Sequence, residues 1–204
     1  IASELATLAT MPDDSHTRFK GKPGVAKRVA WSEPMSLPEV KAVGKVLGCS
    51  VNDMLLSAAA GAMRAYLAEH GDEVDGVEIR AMVPVNMRRA SDAGKLGNRF
   101  GLVALELPLG IENPLARLYA TRERMAKLKG SYQAALTLSI LGAVGMAPKF
   151  AQQQVLDLLA SKATAVMTNV PGPQNALYLA GAKLLQPLFW VPQSGDIGMG
   201  VSIL

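Results

Sequence analysis

The stretch from Met54 to Met63 carries no charge on any face and follows directly on a helix start signal. Together these two features limit the folds open to the chain. Ser50-Val51-Asn52-Asp53 fits a capping box, with Ser50 at the N-cap and Asp53 at the third helical position. A helix is expected from there to about His70, closed by Gly71. Lacking charge from Met54 to Met63, it is expected to be buried nearly all round, with Ala59, Ala60, Gly61 and Ala62 letting neighbouring backbones approach. Such a helix needs partners on several sides. Half of the 204 residues are hydrophobic, enough for a core without disulfide or metal.

The partners can be read from the remaining patterns. Ser36-Leu37-Pro38-Glu39 fits another capping box, opening a helix with Val40, Val43, Val46 and Leu47 on one face and Gly48 as left-handed cap. Val77, Ile79, Ala81, Val83 and Val85 alternate with more polar neighbours, which predicts a strand. Pro84 puts it near an edge or half exposed, since proline donates no hydrogen bond. Phe100–Leu107 is a second strand. Asn113 and Pro114 start a helix with Leu115, Leu118, Tyr119 and Met125 as its apolar stripe. Another helix runs from Pro148 to about Lys162. Val29–Ser32, Thr164–Asn169, Leu177–Ala180, Leu184–Val191 and a run from Ile197 read as strands. Helices and strands alternate without a strict βαβ rhythm, so the expected class is α/β with a mixed sheet flanked by helices.

Several functions are disfavoured. The net charge is only +4, and the cations are scattered; with two Trp, four Tyr and four Phe there is no basic stripe interleaved with aromatics. Nucleic acid is therefore not an expected partner, although weak attraction to anionic lipid remains open. Gly130–Pro148 and Ala163–Ala182 are apolar but interrupted by polar residues, Gly and Pro, and neither qualifies as a membrane span. Cys49 is the single cysteine, which rules out an internal disulfide and fits a reducing cytosol. Its place before a helix start suits a thiolate, and its residue type suits a small buried apolar side chain. Pro12–Arg28 is polar and reads as a linker or crossover. Ile1, Leu5 and Leu8 stand at helical spacing without a cap, and Gly198–Leu204 alternates like a strand and stops without a turn. Further sequence is expected beyond both ends.

A self-sufficient active site is not visible. His16 lies in the linker and His70 at a helix C-terminus, where it complements the dipole. No Gly-x-Ser-x-Gly elbow, zinc-binding Cys/His cluster or Walker lysine is present. Three features stand out. Asp53 is accounted for by its capping box, whereas Asn52 is a poor helix former with no local reason to be there. Thr168-Asn169-Val170-Pro171-Gly172-Pro173 places two hydrogen-bonding side chains beside a stiff turn, with Pro171 and Gly172 suited to type II. The alternative is a plain hairpin turn. The loop from Pro84-Val85-Asn86-Met87-Arg88 to Gly97-Asn98-Arg99-Phe100-Gly101 is long and polar, a solvated loop or a ligand or domain contact through Arg88 and Asn98.

In their order along the chain, these motifs resemble one family. Gly48-Cys49-Ser50-Val51-Asn52-Asp53 with the Ala-rich helix ending Arg64-Ala65-Tyr66-Leu67, Val83-Pro84-Val85-Asn86-Met87-Arg88, Gly97-Asn98-Arg99, Thr168–Pro173 and Leu177-Tyr178-Leu179-Ala180-Gly181-Ala182 look like the second half of the bacterial wax ester synthase/diacylglycerol acyltransferases. The similarity runs from about Thr17 to the end. It implies one half of a two-domain fold similar to chloramphenicol acetyltransferase and peptide-synthetase condensation domains, with a substrate tunnel between the halves. Residues 1–28 would then be an interdomain helix end and linker, and 29–204 the C-terminal acyltransferase domain.

The resemblance also implies a chemistry. The family moves a fatty acyl group from acyl-coenzyme A, a co-substrate rather than a bound cofactor, to a fatty alcohol or diacylglycerol. Its His-His-x-x-x-Asp-Gly motif supplies the general base and lies in the N-terminal half. No adjacent His pair occurs here, so the base is expected in an N-terminal acyltransferase domain, and this chain alone is expected to be inactive. Asn52 and Asp53 would organise the domain interface, and Asn169, Val170, Pro171, Gly172 and Pro173 would face the acyl or coenzyme A side. Thr168 and Asn169 would be candidate oxyanion donors. Gly195 and Gly198 would border the acceptor pocket, and Gly130–Pro148 would line the acyl chain, touch a membrane or form part of the core. The implied location is cytoplasmic, at the inner membrane or on lipid inclusions. A non-catalytic lipid- or partner-binding domain and an amide-forming condensation-type domain are the competing readings.

Overall fold

The computed structural model describes residues 10–88, 91, 99–170, 172–173, 175–191 and 196–204. Among the elements lying wholly within the described residues, helices α1 (Leu37–Leu47) and α2 (Val51–Glu69) lead, separated by a 97° bend. Strands β1 (Ile79–Asn86) and β2 (Phe100–Leu107) precede three helices, α3 (Pro114–Lys129), α4 (Gln133–Gly145) and α5 (Lys149–Ser161). Strand β3 (Ala165–Asn169), the short hairpin of β4 (Tyr178–Leu179) and β5 (Ala182–Lys183), and strand β6 (Met199–Ile203) follow. The Ser50–Asp53 box forms in full: the Ser50 hydroxyl accepts from the Asp53 amide, and an Asp53 carboxylate oxygen accepts from the Ser50 amide. Gly48 closes α1 at φ 65°, in the left-handed region where glycine is favoured. Asn113 caps α3 through the amides of Leu115 and Ala116, with Pro114 at the first position.

A four-stranded mixed sheet in the order β2-β1-β3-β6 carries the fold. The β1–β2 pair is antiparallel, from Ile79 opposite Leu107 to Asn86 opposite Phe100; β1–β3 and β3–β6 are parallel. Alternation decides which side is dry: Ile79, Ala81 and Val83 of β1, Val103, Leu105 and Leu107 of β2, and Ala165 and Met167 of β3 point to one face. Leu56, Ala60, Met63 and Leu67 of α2 and Met125 of α3 close over it. Each large buried aliphatic side chain adds about 1.5–3 kcal/mol. The opposite face is only partly covered, with Met82 and Val166 against the small cluster of Ala160, Ala163 and Ile197. The expected α/β class with helices flanking a mixed sheet is what forms.

Side chains of α4 protect the outer edge of β2. Thr137 Oγ1 donates to the Leu102 carbonyl and accepts from the Leu102 amide, both at 2.8 Å, and Gln133 Oε1 accepts from the Ala104 amide at 3.1 Å. A Cβ on Gly101 would stand 1.9 Å from the Ala134 carbonyl oxygen, so glycine is required for this approach. Two of the outward-facing amides of this edge strand, those of Leu102 and Ala104, are thereby paired within the chain.

Several expectations are corrected. Val29–Ser32 is no strand; Val29 and Trp31 project into solvent, and no strand among the described residues pairs with them. Ser36 makes no side-chain cap bond. Pro38 at the second helical position has no amide to donate, which removes one of the two usual partners of a cap. The apolar face of α1 is only partly covered: Val43 and Val46 are exposed, Val40 and Leu47 are half-buried, and the fully buried residue of the helix is Gly44. There a Cβ would meet the Cys49 carbonyl at 2.8 Å. Ala58 and Ala62 of α2 are exposed, so this helix is not buried all round. Leu115 and Tyr119 of α3 face solvent, and Leu118, Thr121 and Met125 form its buried side. Leu184–Val191 is not a strand, and Leu177–Ala180 contributes only the first two-residue strand of a short hairpin.

Strand β1 is half exposed, with alternate residues buried, as one of the two readings of Pro84 expects, but it is interior rather than near an edge. Pro84 is tolerated because its pairing with β3 involves only Ala81 and Met82; beyond them the strands diverge, and the missing amide is not needed. The segment read as a linker is pinned in its first half. Asp14 is buried, and its carboxylate accepts from the Arg80 amide and from Thr164 Oγ1 at 2.6 Å. Lys20 donates to the carbonyls of Ala160 and Ala163, and Arg18 forms a two-pronged ion pair with Asp72.

Candidate functional site

The parallel strands β1, β3 and β6 all end at one rim, and the residues with no local explanation gather there. In open α/β sheets, ligands bind outside the C-terminal ends of strands. Strand β3 ends with Thr168 and Asn169, and Asn169 is exposed. The amino-terminal turn of α2 reaches the same rim: Asn169 Nδ2 donates to Asn52 Oδ1 at 3.1 Å. Asn52 thus acquires the reason the local sequence lacked. Its side chain ties the α2 N-terminus to the end of β3 and leaves a second Asn169 amide hydrogen for another acceptor.

Neighbouring groups complete the rim. Thr168 lies opposite Ser202 of β6, the two hydroxyls 3.5 Å apart. The chain beyond β3 is held by the Val170 amide donating to the Ile203 carbonyl, and Gly172 passes alongside Leu204. Val170 and Pro173 are exposed, whereas Pro171 lies outside the described residues and with it the expected type II turn. At the end of β1, Asn86 Oδ1 accepts from the Arg88 amide at 2.9 Å. Arg88 is exposed there; Asn98 and Gly195 lie outside the described residues. Gly198 is on the far side of the sheet from this rim, just before β6 begins.

Asp53 is 4% exposed, and only one of its carboxylate oxygens is used by the capping box. The other, Oδ1, is buried without a hydrogen-bond partner among the described residues. A buried acceptor left unpaired costs about 1–3 kcal/mol. No described histidine approaches the rim to act as a base. His70 caps the other end of α2, its Nδ1 2.8 Å from the Tyr66 carbonyl and its ring against Tyr66. At 1.5 Å per residue that is about 27 Å from Asn52. Among the described residues no group of His, Cys, Asp and Glu could hold a metal ion. Cys49 is buried beside the α1–α2 turn, as its apolar reading expects.

Residues 96–204 match the family model for the WS/DGAT C-terminal domain. The chain belongs to the WS/DGAT family. Over 173 residues it is 35% identical to relatives from Mycobacterium bovis and Mycobacterium tuberculosis, both named as diacylglycerol O-acyltransferases. The alignment covers 83% of this chain and 38% of each relative, so the chain spans well under half of their length. The wax ester synthase/diacylglycerol acyltransferase of Marinobacter aquaeolei VT8 has the same fold, with a TM-score of 0.60 and 23% identity, over 90% of this chain and 41% of that one.

Within this WS/DGAT domain the two most distinctive sequence motifs meet, Asn52-Asp53 and Thr168-Asn169. Ser202 was not singled out from sequence. Only the parallel register of β3 and β6 sets it opposite Thr168, and nothing local in Gly200-Val201-Ser202 announces it.

Proposed function

We propose that this chain forms one wall of an acyl-transfer cleft, in an enzyme passing a fatty acyl group from acyl-coenzyme A to a fatty alcohol or diacylglycerol. The observation that carries the reading is the Asn52–Asn169 hydrogen bond, which joins two distant motifs at the ligand-binding end of the sheet in a member of this family. The alcohol oxygen attacks the thioester carbonyl, negative charge develops on the carbonyl oxygen, and the coenzyme A thiolate leaves. A donor fixed in place before reaction stabilises that charge without reorganisation. The remaining Asn169 amide hydrogen is the donor assigned to it; the Thr168 hydroxyl, one residue earlier on the strand, lies on the opposite face beside Ser202. A histidine of an N-terminal acyltransferase domain takes the proton from the alcohol.

The reading includes a cytoplasmic place at the inner membrane or on lipid inclusions. Met146 and Phe150, at the corner between α4 and α5, are exposed apolar side chains suited to a lipid surface. No single helix among the described residues is long and apolar enough to cross a membrane. The test uses palmitoyl-coenzyme A and hexadecanol. The 204-residue chain is expected to release no coenzyme A steadily, and the chain joined to a His-His-x-x-x-Asp-Gly domain is expected to form ester. Steady turnover by the chain alone sinks the proposal, as does an inactive joined enzyme.

A further inference from the structure

The sheet end opposite the rim holds a cavity of about 410 Å³ between segment 18–28 and Gly198-Met199. Five of its lining side chains are cationic, Arg18, Lys20, Lys22, Lys27 and Arg28, and none is acidic. Two of the five are committed outside the loop, and Lys27 donates to the Gly24 carbonyl within it. Arg18 is neutralised by Asp72, and Lys20 is spent on the carbonyls at the end of α5, with Asp13, Asp14 and Asp196 nearby. Lys22, Lys27 and Arg28 make no ion pair among the described residues, which leaves about three uncompensated positive charges around one concavity. Like charges held together repel one another unless an anion joins them.

The backbone points the same way. Gly21-Lys22-Pro23-Gly24 forms a bare loop in which Gly21 takes φ 145°, a conformation that side chains rarely permit. The amides of Gly21, Lys22 and Gly24 make no backbone hydrogen bond among the described residues. Cations lining one concavity bind phosphate oxygens by charge-assisted hydrogen bonds, and backbone amides not used within the fold can add to them. We infer that this cavity is a phosphate-binding site, taking the phosphates of coenzyme A or of an anionic lipid head group. The coenzyme A source rests on the acyl-transfer reading above. Strand β6 separates the cavity from the rim by its own length, about 17 Å, which an extended phosphopantetheine arm can bridge.

The 204-residue chain and its K22Q/K27Q/R28Q variant are titrated with pyrophosphate, with coenzyme A, and with phosphatidylcholine vesicles with and without phosphatidylglycerol. The triple variant leaves Arg18, Asp14 and Lys20 in place, and circular dichroism verifies that it folds. A loss of about tenfold or more in pyrophosphate and coenzyme A affinity supports the site with the coenzyme as source. The same loss confined to phosphatidylglycerol vesicles supports it with lipid as source. Equal binding of all probes by both proteins, or no binding of any by the unsubstituted chain, overturns it. Ester formation is assayed separately on the joined two-domain enzyme. Phosphate binding without ester formation removes the acyl-transfer reading and keeps the site; ester formation without phosphate binding does the reverse.

Discussion

Asn52 and Asn169 lie 117 positions apart and share one hydrogen bond, so each should depend on the other. In the two-domain enzyme, Asn52→Ala is expected to lower kcat/KM more than stability. In urea unfolding, Asn52→Ala and Asn169→Ala should show a coupling of about 0.5–1.5 kcal/mol. Strictly additive losses would mean that the bond carries no energy. The two serine caps make a sharper contrast. Ser50→Ala removes a formed cap and should cost about 0.5–2 kcal/mol, whereas Ser36→Ala removes no bond and should stay within about 0.5 kcal/mol. Equal losses in urea midpoints would contradict the capping geometry. Sequence separated these residues only in part. The Ser50 box was legible because its bonds span three positions. The purpose of Asn52 was not, because its partner is set by how α2 meets β3.

Among the elements, the contact of α4 with β2 is the most exacting. An alanine Cβ at position 101 would overlap the Ala134 carbonyl, a backbone atom that cannot swing aside as a flexible side chain can. Gly101→Ala should therefore push α4 away and release the amides of Leu102 and Ala104. A loss of roughly 1–3 kcal/mol is expected, with faster hydrogen exchange at those two amides. Unchanged exchange would show that α4 does not guard the edge. The eight-residue strands β1 and β2 and the helix starts at Ser50 and Asn113 could be read from period and caps. Strand order could not. Pro84 suggested an edge, yet β1 is interior because its pairing with β3 ends before the proline is reached. Leu184–Val191 has strand-like residues, but strand pairing needs a neighbour that no local pattern supplies.

Across the whole molecule, the segment joining residues 10–20 to the sheet is held by charges that acid should release. Asp13 is drawn below its usual 3.8 by hydrogen bonds from Lys162 and Ser161, and Asp72 below 3.8 by its hydrogen bond with Arg18. Both carboxylates are thus lowered in the folded state. Their contribution is fully present above pH 3.8 and is lost as pH falls below it through the folded values. Asp13 is exposed and Asp72 half-exposed, so solvent screens the effect, and the loss should be local rather than global. Hydrogen-exchange protection of residues 13–20 should drop as pH falls below 3.8, while the amides of α2 keep theirs. The double variant Arg18→Gln and Lys162→Gln should show the loosened segment already at neutral pH, with a flatter dependence below. The polar composition of Pro12–Arg28 suggested a linker because burial of Asp14 against Arg80 and Thr164 is a contact across most of the chain. If protection of residues 13–20 does not change with acid in either protein, the ion pairs do not fasten this segment, and the buried Asp14 holds it alone.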